Sequence, residues 1–160
     1  MNVLSKLFTA LFLSVLVSSC GEQVSILPCG TCDTDLGIIE ESDFDPFLGC
    51  AAVYVRDSYV IQSQQAFDDM ILETERIDCS IQAFASVDFD KHTLLGLQAD
   101  GSGCSREFCP SVIDDDKLNQ YRYELKVVEC GGCEPLETRM IWVLVPRLPI
   151  NHEVVFEVVD

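Results

Sequence analysis

Polar and hydrophobic residues alternate along much of the chain after residue 50, with the two-residue period of β-strands. The clearest run is 121–127, in which Tyr121, Tyr123, Leu125 and Val127 would share one side of a strand. Runs of β-branched and aromatic residues extend this pattern. They predict strands at 51–55, 59–61, 81–87, 93–98, around Val112, at 140–145 and at 154–159.

One segment has helical periodicity instead. Ser63 is suited to cap a helix over 64–75, because its side chain can accept a bond from a free backbone N–H. Phe67, Met70 and Ile71 stand at i, i+3 and i+4 and give this helix one apolar face. The predicted fold class is therefore α+β, a mostly antiparallel β-sheet with one covering α-helix, braced by disulfides.

The chain before this region has a different character. Residues 20–47 show little periodicity, and prolines, glycines and acidic residues interrupt them. We expect this stretch to be an acidic tether or loop behind a single α+β domain at 48–160.

The first 19 residues have the features of an export signal. Lys6 is their one charged residue, and an apolar run follows at 7–17. This run is shorter than the roughly 20 residues that span a bilayer core. It ends in Val17-Ser18-Ser19-Cys20, where small residues favour cleavage. Residues 1–19 are therefore predicted to be a signal peptide, cut before Cys20.

The sequence Val17-Ser18-Ser19-Cys20 resembles the lipobox of bacterial lipoproteins, an aliphatic residue and two small ones before the lipidated cysteine. The resemblance implies that Cys20 carries acyl chains such as palmitate and holds the protein to a membrane outside the cytoplasm. Lipoproteins retained at the inner membrane typically have Asp where this chain has Gly21, so the outer membrane is favoured. The alternative is an ordinary cleaved signal in which Cys20 is incidental.

A second resemblance covers about residues 58–159. The segments VDFDKHTLLGL, YRYELKVVEC, WVLVPRLP and VVFEVV are similar to small uncharacterised bacterial lipoproteins, and to the C-terminal domain of PrcB-type protease-complex proteins. The shared pattern consists of strands and turns, and it implies the fold and a secreted binding role. The extra cysteines and the acidic N-terminal stretch depart from that pattern.

The chain is strongly acidic, with 27 acidic residues against 10 basic ones. Loss of Lys6 with the signal would leave a mature net charge of about −18. Such a surface repels phosphate backbones and anionic lipid headgroups, so nucleic acid is excluded as a partner. Solubility alone explains the excess, and attraction of cations or of a basic protein surface is the alternative.

Nine cysteines become eight, an even number, if Cys20 takes the lipid. In an oxidising compartment they are predicted to form disulfides. The expectation is that the first four pair among themselves, and the last four likewise. These residues are Cys29, Cys32, Cys50 and Cys79, then Cys104, Cys109, Cys130 and Cys133.

Two of these pairs form CxxC motifs, at 29–32 and 130–133. Such motifs also serve as zinc knuckles or redox dithiols, which stay open as alternatives. Acidic residues near the thiols argue against a reactive cysteine, because they would raise its pKa.

The remaining polar clusters do not assemble a recognisable active site. Acidic pairs or runs at 33–35, 43–45, 88–90 and 114–116 could offer oxygen ligands to calcium, but none matches an EF-hand loop, and solvated turns are the simpler interpretation. Neither His92 nor His152 has a local partner set for nucleophilic catalysis. We therefore predict no catalytic residue, no metal ligand and no cofactor.

A proline-rich stretch is the candidate contact surface, because proline removes backbone donors and favours an edge or loop. It consists of Pro146, Arg147, Leu148 and Pro149. The functional hypothesis is a lipid-anchored envelope protein that acts as a protein-binding or structural module for another envelope protein. The alternatives are an envelope protein that binds calcium or zinc and, third, a thiol oxidoreductase.

Overall fold

Strands dominate the computed structural model, which describes residues 30–32, 35–77, 84–115, 117–133 and 136–159. Its eight strands and one helix are, in chain order, β1 (Ala51–Val53), β2 (Ser58–Ile61), α1 (Gln64–Glu73), β3 (Glu75–Ile77), β4 (His92–Gly101), β5 (Ser105–Asp115), β6 (Gln120–Cys130), β7 (Glu137–Pro146) and β8 (Glu153–Val159). The α+β class is confirmed.

The strands form two three-stranded sheets and one small ribbon. The first sheet has the order β2-β4-β7 and is antiparallel throughout. The second has the order β5-β6-β8, in which β5 and β6 are antiparallel but β6 and β8 are parallel. The strands β6 and β8 are parallel because the strand between them in the chain, β7, belongs to the first sheet. The chain therefore comes back beside β6 as β8, running in the same direction as β6. The ribbon pairs β1 with β3.

The two larger sheets pack face to face around an inter-sheet core. Alternate residues of their strands point into it, which follows from the two-residue period. Its buried members are Leu95, Leu97, Ala99, Val112, Tyr121, Tyr123, Leu125, Val143, Val145 and Leu148. The predicted apolar side of β6 is thus confirmed. Two polar contacts also join the sheets: the Tyr123 hydroxyl donates to the Ile141 carbonyl oxygen at 3.0 Å, and Arg106 pairs with Glu137 at 2.5 Å.

The other face of the first sheet belongs to a second cluster, to which the helix contributes Phe67 and Met70. The helix begins as predicted, because the Ser63 hydroxyl accepts a bond from the Ala66 N–H at 3.2 Å. It ends at Glu73, two residues before the predicted end, since Thr74 is extended and leads directly into β3.

Two local predictions differ from the structure. The short strand β3 was not expected. The strand expected at 81–87 is wrong for its described part, because residues 84–87 are irregular, and residues 81–83 lie outside the described residues. Neither Phe84 nor Val87 lies in a strand. Val87 is a buried member of the second cluster, and the Phe84 ring contacts the Phe47 ring of that cluster.

A short segment closes one side of the sandwich, and we name residues 36–41 the strap. Near its start, the Ile38 N–H donates to the Val112 carbonyl oxygen of β5 at 2.9 Å. Near its end, the Leu144 N–H of β7 donates to the Glu41 carbonyl oxygen, also at 2.9 Å. The strap therefore joins the outer strand of one sheet to the outer strand of the other.

Residues after the strap are packed as well. Phe47 has 0% of its surface exposed and belongs to the cluster that contains Trp142. The packed part of the chain therefore begins before residue 48, within the stretch expected to be an acidic tether or loop.

The strap depends on a glycine at one position. Gly37 has a φ of +63°, and an added Cβ would lie 1.9 Å from the Val112 carbonyl oxygen. We predict that Gly37→Ala lowers the free energy of unfolding by more than about 1 kcal/mol, because alanine is strained at positive φ and clashes with β5. Guanidinium unfolding of the oxidised protein measures this.

Gly132→Ala is the matched control, since nothing lies within 4 Å of its added Cβ. Its unfolding midpoint should stay close to that of the unsubstituted protein. If Gly37→Ala lost no more free energy of unfolding than Gly132→Ala, the contact between the strap and β5 would be dispensable.

Candidate functional site

All six cysteines within the described residues are oxidised. Cys32 is bonded to Cys109 with a Cα–Cα distance of 5.3 Å, and Cys104 to Cys133 with a distance of 4.7 Å. Cys50 and Cys130 are also disulfide-bonded. The disulfide prediction is confirmed for these six residues. The other three cysteines, Cys20, Cys29 and Cys79, lie outside the described residues.

The expected grouping of the bridges was wrong in one respect. The Cys32–Cys109 bridge joins the first set of cysteines to the second. The reason is the strap, because Gly37 pairs in parallel with Val112, and Cys32 and Cys109 precede these two residues by five and three positions. The Cys104–Cys133 bridge does fall within the second set, and it ties the turn at 102–104, between β4 and β5, to the connection between β6 and β7.

These bridges determine what the CxxC motifs can do. Cys32 and Cys133 are each bonded to a cysteine outside their own motif, so neither motif is closed as a dithiol pair. Among the described residues, one group of possible ligand atoms lies within 4.8 Å, formed by Cys32, Glu107 and Cys109. Two of its three members share a disulfide, and the sulfur that binds metals is the thiolate. This group does not fit a metal ion while the bridge is intact.

Both histidines are held by structural contacts. The His92 Nε2 lies 2.9 Å from a Glu40 carboxylate oxygen, and its Nδ1 lies 3.2 Å from the Asp88 carbonyl oxygen. The His152 ring lies against Tyr121, with 5.5 Å between the ring centroids. Within the described chain, no serine or cysteine is a hydrogen-bond partner of either ring, so neither is arranged as the base of a nucleophile.

The acidic pairs mostly cap turns. An aspartate side chain can accept a bond from the backbone N–H two residues later, which fixes a turn. Four aspartates do so at distances of 2.8–3.2 Å, and the donor–acceptor pairs are Gly37 and Asp35, Phe47 and Asp45, Asp90 and Asp88, and Lys117 and Asp115. Asp33 and Asp116 lie outside the described residues. These contacts fit the interpretation as solvated turns.

Three side chains named below have shifted pKa values, and each shift has a local cause. A hydrogen bond from the Lys91 ammonium lowers the pKa of Asp88, and bonds from the Ser102 N–H and hydroxyl lower the pKa of Glu129. Burial raises the pKa of Tyr123. None of these groups lines the cleft between residues 42–54 and β7 that is described below, so their titration gives no sign of acid–base catalysis there.

The proline-rich stretch is only partly a surface. Leu148 is 3% exposed and belongs to the inter-sheet core, so its prediction as a contact residue is wrong. The Thr93 hydroxyl accepts a bond from its N–H and the Gln62 amide donates to its carbonyl, both at 3.0 Å, which allows the backbone to turn inward. Pro146, Arg147 and Pro149 remain exposed.

A cleft of about 650 Å³ lies between residues 42–54 and the first half of β7. Tyr54 and Trp142 lie on its aromatic side, and the Trp142 Nε1–H donates to the Tyr54 hydroxyl at 3.0 Å. Trp142 itself is buried, and nothing in the sequence pattern indicated the cleft beside it.

The polar rim of the cleft carries both signs of charge. Asp45 is occupied by the N–H groups of Phe47 and Gly49, and Glu137 is paired with Arg106 and Arg139. Aromatic rings beside carboxylates can accept an apolar or cationic side chain. Asp45 and Glu137 thus both have partners within the chain.

The outer side of β8 is the other distinctive surface. The strap pairs with β5 and β7, whereas β8 pairs with β6 on one side and with no described residue on the other. We name the outer side of Glu153–Val159 the β8 edge. Such an edge presents free backbone donors and acceptors.

No family model, curated protein or solved structure matches this chain. The functional argument therefore rests on the chain's own geometry. Across the described residues, no helix is long and apolar enough to cross a bilayer.

Tryptic mapping of the non-reduced protein tests the bridges directly. Cleavage after Arg106 and Lys117 gives peptide 107–117, whose one cysteine is Cys109. We expect it to be linked to the peptide that ends at Arg56 and contains Cys32. Peptide 92–106, with Cys104, should be linked to peptide 127–139, which contains Cys133.

The Cys32→Ser variant is the control, because it should release peptide 107–117 without a link to the peptide ending at Arg56. A bond from peptide 107–117 to peptide 92–106 or 127–139 in the unsubstituted protein would contradict the structure.

Proposed function

We propose that this protein is an exported, lipid-anchored envelope protein that works as a protein-binding or structural module. The observation that carries this proposal is that the side chains best suited to catalysis or metal binding, the cysteines and histidines, already have structural partners. Every described cysteine is in a disulfide, and both histidines are in contacts with neighbouring side chains or backbone. What remains available to other molecules is surface.

The place of action is proposed from the first 20 residues, which lie outside the described part of the chain. Removal of a signal peptide at 1–19 would leave a lipidated Cys20 at the start of the mature chain, and this anchor would hold the protein, by preference, to the outer membrane. The oxidised cysteines support an extracytoplasmic site, because cytoplasmic thiols are kept reduced. More than one acyl chain is needed for stable anchoring, since a single chain binds only marginally.

The domain is rigid enough to present a fixed surface. The Cys32–Cys109 bridge spans 77 residues, for which chain entropy alone gives roughly 4 kcal/mol of stabilisation. The strap joins both sheets, and we propose that α1 covers the outer face of the first sheet. A braced scaffold loses little conformational entropy when it binds.

The partner that suits this surface is a basic protein of the envelope. The large acidic excess attracts a positively charged surface and speeds encounter with it. The alternative, a calcium- or zinc-binding protein, has less support. The described aspartates mostly cap turns, and the sulfurs nearest to a carboxylate are bonded to each other.

The anchor is tested by Cys20→Ala. We expect this variant to appear in the soluble extracytoplasmic fraction and to lack the mass of the acyl chains, because no thiol remains to be lipidated. Ser19→Ala is the matched control, since it keeps a small residue before the cysteine and should stay in the membrane fraction. Membrane-bound Cys20→Ala protein with the mass of the unsubstituted form would rule out lipidation at this residue.

The binding role is tested in intact cells with a photo-crosslinking residue at exposed positions. We expect a discrete adduct with one envelope protein from Thr138 at the cleft or Arg147 on the proline-rich stretch. Leu72, which is exposed on α1, serves as the control position and should give none. Absence of any specific adduct from every surface position would count against a binding module.

A further inference from the structure

We propose that the β8 edge binds an extended segment of a basic partner protein, which adds a strand to the second sheet. This inference rests on the proposed protein-binding function and names the surface and the chemistry of its partner. Strand addition of this kind obtains affinity from backbone hydrogen bonds and specificity from alternate side chains.

The first step is the state of the sandwich edges. The strap pairs with the outer side of β5 at Val112 and with the outer side of β7 at Leu144, so each of these strands has a neighbour. The outer strand β2 has four residues, whereas β8 has seven. Within the described residues, β8 is therefore the longest outer strand without a neighbour, and its row of backbone groups can template another strand.

The second step is the apolar side of β8. Val154 and Phe156 pack against the inter-sheet core, and Val158 continues the same row. Val158 is nevertheless 49% exposed. A strand laid beside β8 would place its own inward side chains next to this row and remove Val158 from water, which is favourable for apolar surface.

The third step concerns the solvent-facing side chains of β8, which determine the charge of the strand that can bind there. Glu153, Val155 and Glu157 alternate with the inward row, so a bound strand meets two carboxylates on this face. Like charges directly opposite each other destabilise strand pairs, and opposite charges stabilise them. Lysine or arginine at alternate positions of the added strand would form ion pairs with these two carboxylates.

A second copy of the chain is a poor occupant by the same reasoning. If two β8 strands paired antiparallel, the Glu153 and Glu157 side chains of both copies would lie on one face of the joined sheet. Each copy also carries a formal net charge of −17. The repulsion between them favours a heterologous, basic strand over self-pairing.

The test uses the purified, lipidated mature protein in detergent and a synthetic peptide of alternating lysine and valine, roughly eight residues long. Binding is followed by calorimetry or fluorescence anisotropy. A peptide with proline in place of every valine has the same charge but cannot form a strand ladder, so it reports simple electrostatic attraction. We expect the lysine–valine peptide to bind at least about tenfold more tightly than the proline peptide.

The decisive variant is Val158→Glu, which places an inward-facing charge on the edge and blocks strand addition. Its added negative charge would strengthen any purely electrostatic binding, so a loss of about tenfold or more in affinity points to the edge itself. Val60→Glu is the matched control, because Val60 is 44% exposed on the outer strand β2 of the other sheet. It should bind the peptide as the unsubstituted protein does.

Hydrogen exchange gives a readout that needs no substitution. The lysine–valine peptide should slow exchange of the amides in 153–159 and leave those in 58–61 unchanged. Equal affinity for both peptides, unchanged binding by Val158→Glu, or protection elsewhere would each overturn the proposal. A dimer that Val158→Glu dissociates would also overturn it, because a second copy would then occupy the edge.

The outcomes separate this inference from the broader proposal. If the β8 edge fails these tests while crosslinking at Thr138 or Arg147 still captures one envelope protein, the binding module stands and the surface assigned here is wrong. If crosslinking captures nothing and the peptide does not bind, both fail.

Discussion

The pairing of the strap with both sheets is the constraint on which this sandwich depends. Two sheets that pack face to face share no backbone hydrogen bonds between their outer strands unless another segment supplies them. Residues 36–41 supply them, first to Val112 of β5 and then to Leu144 of β7. Gly37 allows the close approach to β5, and the Cys32–Cys109 bridge attaches the chain just before the strap to the same strand. An acidic segment without periodicity thereby becomes part of the fold.

The same arrangement determines which surface is left for other molecules. Because β7 joins the first sheet, β8 must return to β6 as a parallel neighbour and ends the second sheet. The strap is already engaged with β5 and β7, so it does not reach β8. The cleft beside Trp142 results from the same path, since residues 42–54 lead away from the strap and pass the start of β7. Both surfaces follow from the order of the strands, and neither requires a catalytic group.

The sequence predicted the elements better than their assembly. Alternation identified the buried side of β6, and Ser63 located the start of the helix, because both signals are local. The strap, the cleft and the β8 edge had no such signal, since each depends on residues distant in sequence. Leu148 shows the difficulty clearly: its flanking prolines indicate exposure, but Thr93 and Gln62, 55 and 86 residues away, satisfy its backbone. Cysteine spacing likewise indicated that bridges form but not which sulfurs meet.

The charge of the protein connects its fold to its proposed role. An uncovered, valine-rich strand is ordinarily a site of self-association, and acidic residues on that strand oppose it. Glu153 and Glu157 alternate with the apolar residues of β8, so the strand repels its own copy without losing its capacity to pair. A basic segment would pair with β8 more favourably than a second copy does, because its positive charges would be attracted to Glu153 and Glu157. On the proposed role, the acidic excess would do more than maintain solubility: it would make an open strand selective for the sign of its partner's charge.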